Sequence, residues 1–312
     1  MRIHHEPIDA TKSPRFSGVP TFARLPLVRS TDVDVAVVGV PFDTAASFRV
    51  GGRFGPNAIR SASVIIRRYN PLLGVDPFSV LSCVDYGDID VIPGNVERSF
   101  QVIESSLAPL VEAGVIPLLL GGDHSCSLPH LRAFRKRSPV ALVDFDAHTD
   151  ASDSFFGDKY NHGTWVRRAV EEDLIDVDHS IEVGLRGSVF TEQDWSRLND
   201  EFGMAYLSTR DVLTRGPEGT AAAIRERVGD RPAFLSFDID VIDPAFAPGT
   251  GVPEAGGISS FEALEIVRYL GPLDFVGFDV VEVIPAYDSG DITANVAANL
   301  AYELICLVAL RR

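Results

Sequence analysis

The sequence predicts an α/β protein, a single-domain three-layer αβα fold around a mostly parallel eight-stranded sheet. Three observations carry this. Strand-length apolar runs alternate with amphipathic, helix-like stretches through most of the chain. The runs are continuously apolar, which implies burial on both faces, as in a parallel sheet covered by helices. No Pro/Ser-rich linker, repeat or shift of composition divides the chain. The run at 34–40 is followed by a helical pattern at 56–68, 81–85 by 96–113, and 115–120 by 127–137. The alternation continues with 140–146 and 165–173, 181–185 and 191–202, 204–207 and 219–228, 233–238 and 259–270, 275–281 and 292–310.

Composition narrows the function classes. With 312 residues, 46% hydrophobic and 23% charged, the chain can bury a large core, and disorder, collagen and coiled coil are excluded. The apolar runs at 35–38 and 115–120 are strand-length, far short of the roughly 18 residues of a membrane span. Residues 1–30 contain no apolar signal-like stretch, so a soluble, cytoplasmic protein is expected. The net charge of −16 opposes binding to nucleic acid or a polyanionic surface; cationic substrates or bound cations suit it, as does a plain solvated surface. Cys83, Cys126 and Cys306 show no CxxC spacing and read as reduced core thiols. His4 and His5 read as part of a flexible tail without a role.

Chemistry-bearing residues gather where strands end, the place where open α/β sheets bind ligands. GGDHS (121–125) follows the third run, DFDAHTD (144–150) ends the fourth, and SFDIDVIDP (236–244) ends the seventh. Glu282 lies just past the eighth run, and the loop KYNHGT (159–164) supplies His162. In an extended segment, Asp146, His148 and Asp150 would share one face, as would Asp238 and Asp240. If these ends converge with His124, four carboxylates and two imidazoles meet in one crevice. Such carboxylates repel one another unless cations intervene, and two divalent cations roughly 3.5–4 Å apart would offset the repulsion. Oxygen-rich ligation with some imidazole points to Mn²⁺ rather than zinc.

Each motif taken alone has a plainer reading. A lone D-x-H-x-D fits a helix cap or turn equally well, GGDH fits a glycine turn capped by Asp123, and Asp243-Pro244 fits a turn. An isolated His162 or Glu282 is most often a hydrogen-bonded or solvated side chain. Together, each at a strand exit, these readings become jointly improbable.

The motifs resemble those of the ureohydrolases, the family of arginase, agmatinase and guanidino-acid amidinohydrolases. GGDHS, DAHTD and SFDIDVIDPAFAPGTGVPEAGG (236–257) look like its three signature regions. SGVPTFARLP (17–26), GVPFD (39–43), RFGPNAIR (53–60), DYGDID (85–90), HGTWVRRAVEE (162–172) and VVEVIPAYD (280–288) look like agmatinase-type segments, so the resemblance spans nearly the whole chain. It implies an arginase-like catalytic domain over 31–312 after an extension at 1–30. It also implies two Mn²⁺ per chain, one held by His124, Asp146, Asp150 and Asp238, the other by Asp146, His148, Asp238 and Asp240. Asp146 and Asp238 would bridge. His162 would shuttle protons, Glu282 would anchor a guanidinium, and the chain would form a homo-oligomer, a trimer or a hexamer.

The implied chemistry is coherent. A guanidinium carbon is a poor electrophile, so water must become hydroxide near neutral pH, which a cation pair achieves by lowering its pKa. Asp150 can orient that nucleophile, Glu282 matches the donor fork of the guanidinium, and His162 can protonate the leaving amine. Urea and an amine result. Where arginase-type chains place Asn, this one has Ser152, which points away from arginine. The tail-reading segment is expected at 152–161, with Phe155, Phe156 and Trp165 offering an apolar slot or simply packing the loop. Asp153 and Asp158, opposed only by Lys159, favour the cation agmatine; the alternative is a guanidino acid such as 4-guanidinobutyrate, 3-guanidinopropionate or a proclavaminate-type precursor. A single-zinc deacetylase of related fold is disfavoured, because the doubled aspartates leave too many carboxylates for one metal. A non-catalytic metal-dependent regulator would show a missing ligand, and none is missing.

Overall fold

In the computed structural model, which describes residues 3–137 and 139–312, the eight apolar runs form one sheet. Its strands are β1 (Val35–Gly39), β2 (Cys83–Asp88), β3 (Ile116–Leu120), β4 (Ala141–Phe145), β5 (Ile181–Leu185), β6 (Ala205–Ser208), β7 (Pro232–Asp238) and β8 (Asp274–Val281). They lie in the order β2-β1-β3-β8-β7-β4-β5-β6, and every pairing is parallel. The helices are α1 (Gly55–Ser63), α2 (Pro77–Val80), α3 (Val96–Glu112), α4 (Ser127–Arg132), α5 (Trp165–Glu171), α6 (Glu192–Phe202), α7 (Thr209–Val228), α8 (Ser260–Tyr269) and α9 (Ile292–Ala309). Side chains alternate across the strands: Val35 and Val37 enter one apolar cluster, Ala36 and Val38 the other. Helices α1, α7, α8 and α9 pack on the first cluster, and α3, α4, α5 and α6 on the second. Helix α9 is long and apolar enough to cross a membrane by composition alone, yet 78% of it is buried within the protein as a core helix.

Four elements differ from expectation. Helix α1 ends at Ser63 rather than 68, and α4 ends at Arg132 rather than 137. The single turn α2 carries no readable period; Asp76 caps it by accepting a hydrogen bond from the Phe78 amide. Helix α7 starts at Thr209 rather than 219, launched by a capping box between Ser208 and Asp211. Gly216, at φ 68°, interrupts it, and Pro217 starts the second half. The interruption hides the first half from a helical pattern search.

The N-terminal segment is not a loose tail. His5 O accepts from the Cys83 amide, Pro26 O from that of Asp85, and His4 Nε2 lies 2.8 Å from Phe78 O. The segment thereby covers β2, whose outer edge would otherwise present unpaired backbone groups. Buried Asp85 anchors it, accepting from the Phe22 amide at 2.7 Å and from Arg60 Nε at 2.8 Å.

The connection from β3 crosses to β4, so the carboxyl ends of β3, β8, β7 and β4 adjoin one another at one rim. Gly122, just past β3, sits so close to the β1 exit that a Cβ would fall 1.5 Å from Phe42 O. Only glycine fits that approach.

One step below the rim runs a buried polar row. Glu182, Asp144, Ser236 and Asp279 stand in register on β5, β4, β7 and β8, each 0% exposed. Both carboxyl oxygens of Asp144 and of Glu182 lack a hydrogen-bond partner. Burial, reinforced by neighbouring carboxylates, pushes both groups well above their ordinary range. For Glu182, stability from the retained proton is complete below the ordinary value of 4.5 and is lost as pH rises through the raised folded value. In metal-stripped protein, Glu182→Gln should therefore raise Tm by about 2–4 °C at pH 8, with a smaller gain at pH 5. Thermal melts at the two pH values check this, and a lower Tm for the variant at pH 8 would contradict it.

Candidate metal centre and active site

The six expected ligands converge, although not by strand alternation. β4 ends at Phe145 and β7 ends at Asp238, so the acidic motifs lie in turns rather than on extended faces. Each first aspartate folds its own turn: Asp146 Oδ1 accepts from the His148 amide at 2.6 Å, and Asp238 Oδ1 from that of Asp240 at 2.7 Å. Asp150 is brought back by a left-handed backbone, φ 43°. The turn reading and the ligand reading of these motifs therefore describe the same residues.

Two donor groups result. His124 Nδ1 faces Asp146 Oδ2 at 2.9 Å, Asp150 Oδ2 at 3.2 Å and Asp238 Oδ2 at 3.2 Å. His148 Nδ1 faces Asp240 Oδ2 at 3.1 Å and Asp146 Oδ1 at 3.3 Å. Asp146 thus presents one oxygen to each ring, while the second oxygen of Asp238 is engaged by the Asp240 amide.

The other nitrogen of His124 fixes the tautomer of the neutral ring, the form in which a histidine binds a cation. Nε2 lies 2.8 Å from Ser236 Oγ, and that hydroxyl lies 2.5 Å from Asp279 Oδ1. The serine has one proton and donates it to the carboxylate, so it accepts from the histidine N–H. The lone pair of His124 then sits on Nδ1, aimed at anionic oxygens. Nδ1 and Asp146 Oδ2 are buried and have no hydrogen-bond partner of acceptable geometry. A lone pair facing carboxylates is repulsive unless a cation lies between them, so the residues present fit a metal. Electrostatics agree. Burial, with neighbouring aspartates, raises Asp238 and Asp150, and raises Asp240 to about 6. Burial opposes the charge of Asp146 as well, but in the absence of a cation the two imidazoles in their protonated forms outweigh it and hold that carboxyl below its usual range.

His162 and Glu282 meet beside this centre. Glu282 Oε1 accepts from the His124 amide at 3.0 Å and stands 2.9 Å from His162 Nδ1. Glu282 is held at φ 63°, another left-handed non-glycine residue at the rim. Burial lowers the His162 pKa, but Glu282, Asp150 and Asp123 outweigh it and raise it to about 9. A cavity of about 350 Å³ opens onto both, lined also by Ser152 and Phe155.

Other tail-side expectations are corrected. Trp165 is 1% exposed, stacks near His124 and donates from Nε1 to Asp150 Oδ2 at 3.0 Å, so it braces a ligand instead of touching a substrate tail. Asp153, Asp158 and Lys159 do not line the cavity. Phe155 and Asp158 pair as a tight hairpin that swings the loop tip outward, leaving Phe156 86% exposed, while Asp153 pairs with Arg168 at 3.0 Å. Sequence reading missed Ser47, Arg186, Phe190, Asp194 and Glu254, all on the cavity wall. Among the described lining residues, Arg186 is the only arginine or lysine. All five of its N–H groups are used on the carbonyls of Gly184, Asp240, Val241 and Glu254. It ties three loops together and has no donor left for a ligand.

Comparison with known proteins agrees with the geometry. The Arginase family model matches residues 33–306. A guanidinobutyrase of Pseudomonas aeruginosa is 44% identical, covering 97% of each chain. A mitochondrial agmatinase of Gallus gallus is 43% identical over 93% of this chain and 86% of its own. The solved structure of proclavaminate amidino hydrolase from Streptomyces clavuligerus superposes with a TM-score of 0.90 at 41% identity, covering 96% of this chain and all of that one, 100%. The chain belongs to the arginase family and is a hydrolase of guanidino C–N bonds.

Proposed function

We propose that this chain holds two Mn²⁺ and releases urea from a guanidino compound, with agmatine as its best substrate. The observation that carries the reading is the lone pair of His124 Nδ1 facing three carboxylates, beside a second imidazole that shares Asp146. His124, Asp146, Asp150 and Asp238 would hold one ion, and Asp146, His148, Asp238 and Asp240 the other. Bound there, the ions would activate water and offset the charge of the carboxylates.

The remaining work falls to the chain. Glu282, 2% exposed, would receive the guanidinium through a charge-assisted hydrogen-bonded pair. Asp150, braced by Trp165, would orient the attacking water. His162 would give its Nδ1 proton to the departing amine, since that nitrogen already faces the guanidinium partner Glu282. For the tail, the wall offers the carboxylates of Asp194 and Glu254 and no free cationic donor, Arg186 being saturated. That supports an ammonium tail. A guanidino acid is the second reading, favoured by a relative that is a guanidinobutyrase by name. Three buried free thiols support action in a reducing cytoplasm, and we place the enzyme there as a trimer or hexamer, as the family resemblance implies.

Three outcomes test these assignments. Asp146→Asn should reduce bound manganese from two ions per chain and lower urea release by more than about 10²-fold, beyond the 10–100-fold typical of an outer-shell partner. Elemental analysis beside a urea assay checks it, and undiminished metal would refute the shared-ligand role. His162→Ala should lower kcat by about 10²–10⁴-fold with metal content unchanged; normal turnover would assign this histidine a packing role. Finally, kcat/KM should be higher for agmatine than for 4-guanidinobutyrate, and lowest for arginine. A surface-type ion pair contributes about 0.2–1 kcal/mol, so the preference should stay within roughly tenfold. The reverse ranking would sink agmatine and leave the urea-releasing chemistry standing.

A further inference from the structure

His162 is gripped at both ring nitrogens, and the second grip comes from a residue that no motif marks. Nδ1 faces Glu282, while Nε2 lies 2.6 Å from Oγ and 3.0 Å from the backbone N of Ser47. An amide N–H can only donate, so Nε2 must offer it a lone pair, and the single proton of the neutral ring sits on Nδ1. The grip is built into the backbone as well: the His162 amide donates to Ala45 O at 3.1 Å, two residues before Ser47. The Ala45 amide in turn donates to buried Asp123 at 3.0 Å, next to the ligand His124. Asp43 closes the same loop by accepting from the Gly51 amide at 2.7 Å and from Arg53 Nε at 2.6 Å. The loop that carries Ser47 is therefore fastened at both ends, and Ser47 itself lines the cavity.

We infer that Ser47 is the positioning residue of His162, holding the ring with Nδ1–H toward Glu282 and Nε2 toward the Ser47 hydroxyl. The inference rests on the reading of His162 as proton donor to the leaving amine. A neutral imidazole cannot give up its Nδ1 proton unless Nε2 gains one in the same event. The Ser47 hydroxyl is placed to supply it: the Oγ–H bond breaks as Nε2–H forms, Nδ1–H breaks as the amine N–H forms, and the proton released when the attacking water becomes the nucleophile restores Oγ–H. Solvent exchange at Nδ1 and Nε2 then returns the ring to its Nδ1–H tautomer with no net change of protons. The charged groups facing the ring are Glu282, Asp150 and Asp123, all carboxylates that favour a doubly protonated ring. The Ser47 amide is the element that opposes protonation of Nε2.

The test uses the full-length manganese-loaded enzyme for kinetics and the same chain with ¹⁵N-labelled histidine, without added manganese, for NMR. Ser47→Ala should lower kcat about tenfold, near the worth of one net hydrogen bond, with KM within twofold and metal content unchanged. Ser47→Thr, which keeps the hydroxyl, should recover most of the rate. Recorded above pH 9, where the ring is neutral, the wild-type His162 spectrum should show the Nδ1–H tautomer. An unaltered kcat in Ser47→Ala, an equal loss in Ser47→Thr, or an Nε2–H tautomer in the wild type would each overturn the proposal. Should the wild type release no urea from any guanidino compound, the proposed function fails, whereas the spectrum still reports on the Ser47 grip.

Discussion

Three carboxylate oxygens stand 2.9, 3.2 and 3.2 Å from one imidazole nitrogen whose proton is on the far side of the ring. Much of the rim follows from that arrangement. It is repulsive in itself, and a cation resolves it because the low dielectric of the interior strengthens attraction as much as repulsion. The strands must then end in turns that deliver oxygens rather than continue pairing, and two of the positions concerned, Asp150 and Glu282, take left-handed backbones. Strain of that kind persists only where the surroundings over-determine it. Here the surroundings are the crowded exits of β3, β4, β7 and β8, where Gly122 has no room for even a methyl group.

The layer beneath shows what such a site costs the fold. A core strand position is normally apolar, yet four adjacent strands carry Glu182, Asp144, Ser236 and Asp279 at matching register. Ser236 and Asp279 fix the tautomer of His124, so their burial is compensated by function. Asp144 lies 3.6 Å from His124 Nε2, too far for a good hydrogen bond, and the carboxyl oxygens of Glu182 have no hydrogen-bond partner. Those two weaken the fold at neutral pH, in the manner of an active site that trades stability for poise.

Much of this was legible in the sequence, for reasons that also explain the remainder. The inner strands announced themselves because burial on both faces demands unbroken apolar runs, and the interior of a parallel sheet is buried on both faces, whereas the edge strands β2 and β6 are only partly buried. The convergence of the six candidate ligands was legible because Asp and His at strand exits are hard to explain in quantity. The route by which they converge was not, since spacing alone does not distinguish an extended face from a turn closed by an aspartate. Ser47 and Arg186 escaped notice for a different reason: each acts through backbone groups brought near by tertiary folding. The partner atoms of Arg186 are carbonyls as distant as Glu254, and no side-chain motif records them. Trp165 misled because a large aromatic near a site fits a substrate wall and a brace for Asp150 equally well until its burial is known.

Glu282 joins the parts into one unit. A single oxygen, Oε1, accepts from the backbone of the ligand His124 and faces the ring of His162, which is itself clamped by Ser47. On the proposed reading, a guanidinium arriving at Glu282 would dock on a group whose position is already set by His124 on one side and His162 on the other. Its second oxygen, Oε2, lies over Gly251, where a Cβ would come within 2.6 Å, so only glycine leaves room for the carboxylate there. Substrate orientation and proton delivery, as proposed, would share one hydrogen-bonded frame, the condition under which a bound substrate meets its catalytic groups in near-attack geometry. The outer wall of the cavity, by contrast, is formed by the exposed loop at Phe190, 88% exposed, and by Asp194 in the first turn of α6. The chemistry is thus built on the rigid rim of the sheet and the selection of substrate on loops above it, which is why the family features of this chain are so much easier to read than its preference among guanidino compounds.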